Sequence, residues 1–133
     1  MKSEFIPYDQ LNHINPIMID YCRKGSVSGF YQQHYNDIMN GSANLNEIFR
    51  KINHRTALCD VLLDTNKKHT VSDKTIQNID LLKSEKTYAV VTGQQMGLYS
   101  GPLYTIYKTI GAIKTAEYLK EIYPEYNFIP NIS

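Results

Sequence analysis

Apolar side chains recur at helical spacing through the first half of this chain and fall into a continuous run after position 87. Residues 1–30 show no sustained period. Asn15-Pro16 predicts a turn or an extended approach, and Gly25-Ser26-Val27-Ser28-Gly29 predicts a flexible joint before the first helix. From Phe30 to about His69 the pattern is helical, in two or three pieces. Phe30, Tyr31, His34 and Ile38 form a first set, which Asn40-Gly41-Ser42 interrupts. Leu45, Ile48, Phe49 and Ile52 form a stripe, and Leu58, Val61, Leu62 and Thr65 another. Such stripes face a core more often than a ligand. Ser72 is placed to cap a further helix, with Asp73 at its positive end and Ile76, Ile79 and Leu82 on one side.

The period then changes. Tyr88-Ala89-Val90-Val91-Thr92 is a short apolar run of the kind a buried parallel strand needs. A loop with glycines at 93, 97 and 101 follows, and Pro102 suits the first turn of a helix, where its missing N–H costs nothing. That helix runs to about Ile122 with Leu103, Ile106, Ile110 and Ile113 along one face. Tyr123-Pro124 ends it, and Asn127-Phe128-Ile129-Pro130 begins a second strand that looks cut short by the end of the chain. Strand, loop, helix, strand is one right-handed βαβ crossover. The expected class is α/β: a mostly helical region over 1–86, then the truncated start of a parallel-sheet core over 87–133.

Composition narrows the function classes. The 133 residues carry 14 basic and 13 acidic side chains, a formal net charge of +1, with no clustered basic face for nucleic acid. No run reaches the roughly 18 apolar residues of a membrane span, and Met1–Tyr8 lacks the form of a secretory signal. A cytoplasmic location is expected. Cys22 and Cys59 read as free thiols. His54 lies five positions from Cys59, off the helical spacing a thiol–base pair would use. His13, His34, His54 and His69 are scattered without metal-ligand spacing, so no metal is expected.

Candidate chemistry therefore concentrates on Thr92 to Lys108. In an open α/β sheet, ligands bind beyond the carboxyl ends of the strands. Glycines let the backbone approach a ligand closely, and a helix start offers unpaired N–H groups to a carboxylate or phosphate. Gln94 and Gln95 can each donate and accept. Tyr104 and Thr105 could reach a ligand over the helix start; Tyr107 reads as packing, and Lys108 by position alone reads more as solvated than as ligand-binding. The glycine pattern matches neither the dinucleotide fingerprint nor the phosphate-binding P-loop. It fits a tight structural turn and a binding loop equally well.

The residues themselves resemble a known family. Ala89-Val90-Val91-Thr92-Gly93-Gln94-Gln95-Met96-Gly97-Leu98, followed by Gly101-Pro102-Leu103-Tyr104-Thr105-Ile106-Tyr107-Lys108 and Ala112-Ile113-Lys114-Thr115-Ala116, is similar to the first Rossmann-like motif of the cysteine-adding enzymes (cysteine ligases) of bacillithiol biosynthesis. Asn15-Pro16 and Thr75-Ile76-Gln77-Asn78-Ile79 extend the likeness over nearly the whole chain. The resemblance implies a Rossmann-like core and, for the parent enzyme, addition of cysteine to glucosaminyl-malate. It implies that Gly93, Gln94, Gln95 and the start of the helix line a pocket for the sugar–malate substrate or a nucleotide; with the positions read above, the expected substrate-binding set is Thr92, Gly93, Gln94, Gln95, Gly97, Gly101, Pro102, Tyr104, Thr105 and Lys108, with glucosaminyl-malate and cysteine as substrates. Family members continue into an acidic, histidine-containing segment suited to acid–base work, whereas this sequence ends Asn131-Ile132-Ser133. An N-terminal piece with little activity of its own is the resulting expectation, partnered by the remaining polypeptide or a second copy. The alternative is a small-anion-binding module without catalysis.

Overall fold

The computed structural model describes residues 6–31, 33–48, 53–93 and 103–132. They fall into two units divided between positions 49 and 50.

In the first unit, α1 (Pro16–Cys22) begins where a turn or extended stretch was expected. Asn15 does adopt extended backbone (φ −61°, ψ 128°), but as the helix cap: its side chain accepts from the Ile17 N–H at 3.0 Å, with Pro16 opening the first turn. The Gly25–Gly29 stretch is a structured 3₁₀ turn over Ser26–Phe30, contrary to the expected joint. The Asp20 carboxylate pins it by accepting from the Val27 N–H at 2.7 Å. A Cβ on Gly25 would run into that same carboxylate, so a larger residue there would have to displace the Asp20 side chain. Next, α2 (Tyr35–Met39) is capped by His34, whose Nδ1 accepts from the Asn36 N–H at 3.2 Å. The proton therefore sits on Nε2, which donates to the Tyr21 carbonyl at 2.8 Å. The chain leaves α2 through Gly41 at φ 76°, a left-handed conformation that favours glycine. A short α3 (Leu45–Ile48) follows, with Leu45 buried.

The second unit holds α4 (Arg55–Lys67), α5 (Asp73–Leu81), β1 (Thr87–Thr92), α6 (Leu103–Ile122) and β2 (Asn127–Ile132). Ser72 caps α5 as the sequence predicts, accepting from the Thr75 N–H at 3.3 Å. The two strands are parallel, in register from Thr87 against Asn127 to Thr92 against Ile132. β2 thus pairs along the full length of β1; the expected stub is a six-residue strand. Ladder phase explains how Pro130 is tolerated. The Asn127 N–H donates to the Lys86 carbonyl at 2.8 Å. Residues 127, 129 and 131 therefore turn their backbone groups to β1, and Pro130 turns its missing donor outward.

Side chains sort by the same alternation. Tyr88 and Phe128 lie on one face, their rings 6.1 Å apart, with Tyr123 at the end of α6 6.2 Å from Phe128. Tyr126 completes this cluster 5.5 Å from Tyr88. α6 covers the sheet with Ala112, Ala116 and Leu119, all buried. The stripe of Leu103, Ile106, Ile110 and Ile113 is exposed, from 40% at Ile113 to 62% at Leu103. Small residues let the helix lie close to the strands, which turns the larger ones away from the sheet. Two cations fasten the connections. Arg55 Nη1 donates to the Leu82, Ser84 and Thr87 carbonyls at 3.2, 3.3 and 3.0 Å. Lys120 Nζ donates to the Pro124 and Tyr126 carbonyls, each at 2.8 Å.

Candidate functional site

Thr92 is the last residue of β1 and is half-buried; Gly93 follows it, exposed. Tyr104 and Thr105 lie in the first turn of α6, and Lys108 one turn further. Gln94, Gln95, Gly97, Gly101 and Pro102 lie outside the described residues.

One side chain joins the two described ends of the site. Lys108 Nζ donates to the Gly93 carbonyl at 3.0 Å and sits 4.3 Å from the centre of the Tyr104 ring. A lysine that position suggested was mainly solvated therefore spans the gap between strand end and helix start. The strand-end carbonyl draws the ammonium by hydrogen bonding and the ring face by its quadrupole. Lys has three donors, so the contact to Gly93 leaves others to meet an anion. Tyr104 is 64% exposed and Thr105 half-buried. The Thr105 carbonyl also accepts from Thr109 Oγ1 at 2.9 Å. These groups offer a small anion hydrogen-bond donors and a cation. Lys108 meets a carbonyl and a ring face, contacts that hold it as an ammonium donor.

The thiols lie elsewhere: Cys59 is fully buried in α4, Cys22 is half-buried in α1, and both are free. Among the described residues, no three His, Cys, Asp or Glu side chains gather as a metal site would require. No described helix is long and apolar enough to cross a membrane. A shallow, mainly apolar hollow of about 450 Å³ lies between α5 and α6 over β2. Lys120 at its wall is already committed to backbone carbonyls.

Sequence reasoning passed over Arg55, Lys120 and a group of asparagines between α4, α5 and the sheet. None of them stands in a local motif; their partners come together only on folding.

A parallel strand–helix–strand crossover, with its polar groups where the first strand meets the helix, defines a Rossmann-like domain. Residues 1–131 match the family described as "Bacillithiol biosynthesis BshC, N-terminal Rossmann-like domain", and the chain belongs to that family. It is 41% identical over 133 residues to the "Putative cysteine ligase BshC" of Christiangramia forsetii, covering 98% of this chain and 24% of the relative. Proteins of the same name from Prosthecochloris aestuarii and Flavobacterium johnsoniae are 32% and 35% identical, each over 98% of this chain and 25% of the relative. The chain thus spans about a quarter of the length of the curated relatives it matches. No solved structure matches it.

Proposed function

We propose that this chain supplies the anion-binding part of the substrate site of a bacillithiol-forming cysteine ligase. In this reading the loop between β1 and α6 receives the malate end of glucosaminyl-malate. Thr92, Gly93, Gln94, Gln95, Gly97, Gly101, Pro102, Tyr104 and Thr105 shape the pocket, and Lys108 supplies its charge. The observation that carries the reading is Lys108, held at the mouth between the Gly93 carbonyl and the Tyr104 ring. A carboxylate there would meet a cation and a helix start together, and a charge-assisted hydrogen bond is among the stronger polar contacts. A nucleotide phosphate would find the same partners. The protein works in the cytoplasm on small molecules, with the rest of the longer relatives' polypeptide or a second copy completing the site. It needs neither nucleic acid nor membrane.

Malate titrated into the purified chain should raise the midpoint of thermal unfolding and shift the Gly93 amide signal. Lys108→Met should weaken malate binding roughly tenfold to a hundredfold, the worth of one hydrogen bond to a charged group, and Lys108→Arg should restore part of it. Unchanged malate binding in Lys108→Met would sink the assignment. Offered glucosaminyl-malate and cysteine, the chain alone should release no bacillithiol, because it spans only about a quarter of the length of the relatives named as ligases.

A further inference from the structure

We infer a second binding site, for an uncharged polar small molecule, in the cavity between α4, α5 and the sheet. The cavity measures about 270 Å³. That is just below the roughly 300 to 1,000 Å³ of cavities for drug-sized ligands, a size for a molecule no larger than a monosaccharide and too small for a nucleotide. Its floor is apolar, with Ile79 and Ile129 both buried. Its polar groups are Asn66 in the last turns of α4, Thr75 and Asn78 in α5, and Asn131 near the end of β2.

The lining contains no charged side chain. That composition selects against ions, because a charge placed there would lose hydration without gaining a counter-charge. Carboxamides both donate and accept, which suits hydroxyl or amide groups. Part of this capacity is spoken for: Asn66 Nδ2 donates to the Leu62 carbonyl at 2.8 Å, and Thr75 Oγ1 shares a hydrogen bond with Ser72 Oγ at 3.1 Å. The Asn66 side-chain Oδ1 accepts no hydrogen bond among the described residues, and the Asn78 and Asn131 side chains make none there either. Polar groups around an apolar floor, near the carboxyl end of a parallel strand, form the usual layout of a ligand site.

The cavity is distinct from the Lys108 site. Ala89, Ile129 and Asn131 share the sheet face opposite to Tyr88 and Phe128, where the Phe128 ring meets Tyr123 just after α6. The two sites would therefore respond to different ligands, and the failure of either leaves the other standing.

The test uses the whole chain and its asparagine side-chain amide NMR signals, with glucose as the neutral probe and malate as the charged one. Glucose should shift the Asn78 and Asn131 signals saturably, and malate should leave them unmoved. Asn78→Leu and Asn131→Leu should each weaken glucose binding about tenfold, as expected for loss of a hydrogen bond. Asn131 is exposed, so its variant should fold even if Asn78→Leu does not. The inference is overturned if glucose gives no saturable shift, if Asn131→Leu binds it unchanged, or if malate moves these signals instead.

Discussion

Arg55 illustrates how single side chains hold the second unit together. Its Nη1 meets three carbonyls lying 27 to 32 positions away, and it closes the connection between α5 and β1. Arg55→Met would leave those carbonyls without the guanidinium, and we expect a loss of about 2 kcal/mol in urea unfolding. No feature of the sequence near position 55 announces this, because its partners are remote. Ser72 was legible for the converse reason: its acceptor role is completed three residues later. Tyr88 carries a pH dependence. Burial, with Tyr126 close by, holds its phenol above the ordinary value of 10.0, partly offset by Arg55. The unfolded chain therefore releases this proton first as pH rises past 10.0, and the contribution to stability is lost as pH climbs through the folded value. Phenolate absorbance should lose a late-titrating component in Tyr88→Phe relative to the wild type; an unchanged high-pH limb would contradict the assignment.

At the scale of elements, β2 shows how ladder phase decides what a strand tolerates. Pro130 points its nitrogen away from β1, so Pro130→Val should change unfolding by less than about 1 kcal/mol. Ile129→Pro removes a donor facing β1 and a buried side chain, and should cost more than about 2 kcal/mol. Similar losses for the two variants would mean that the register is wrong. Helix α6 makes the matching point about faces. Its type and length follow from the sequence, and periodicity marks the isoleucine stripe as one apolar face, but the positions that pack against the sheet are Ala112, Ala116 and Leu119. Leu119→Ala should cost about 2 to 4 kcal/mol and Ile110→Ala, at a position 49% exposed, less than about 1 kcal/mol, both read from denaturant midpoints.

For the whole molecule, the division between positions 49 and 50 has a direct consequence. The caps, cations and core residues described for β1, α6 and β2 all come from the second unit. Residues 50–133 expressed alone should therefore keep the amide signals of both strands where the full chain has them; collapsed or displaced signals would show that the first unit is needed. The proposed substrate site and the asparagine cavity both draw on this unit, on opposite faces of one two-stranded sheet.

By itself the sequence determined which segments are helix and which are strand from Ser72 onward, and where the glycine loop joins them. Those outcomes rest on hydrogen bonds closed within a few residues and on the period of apolar side chains. It also carried the family, through the run from Ala89 to Lys108. Tertiary structure alone decided which face of α6 is buried, why Pro130 fits in β2, how Arg55 and Lys120 are used, and that asparagines from α4, α5 and β2 line one cavity. Each of these depends on groups tens of residues apart meeting across a sheet, a distance over which local periodicity carries no information.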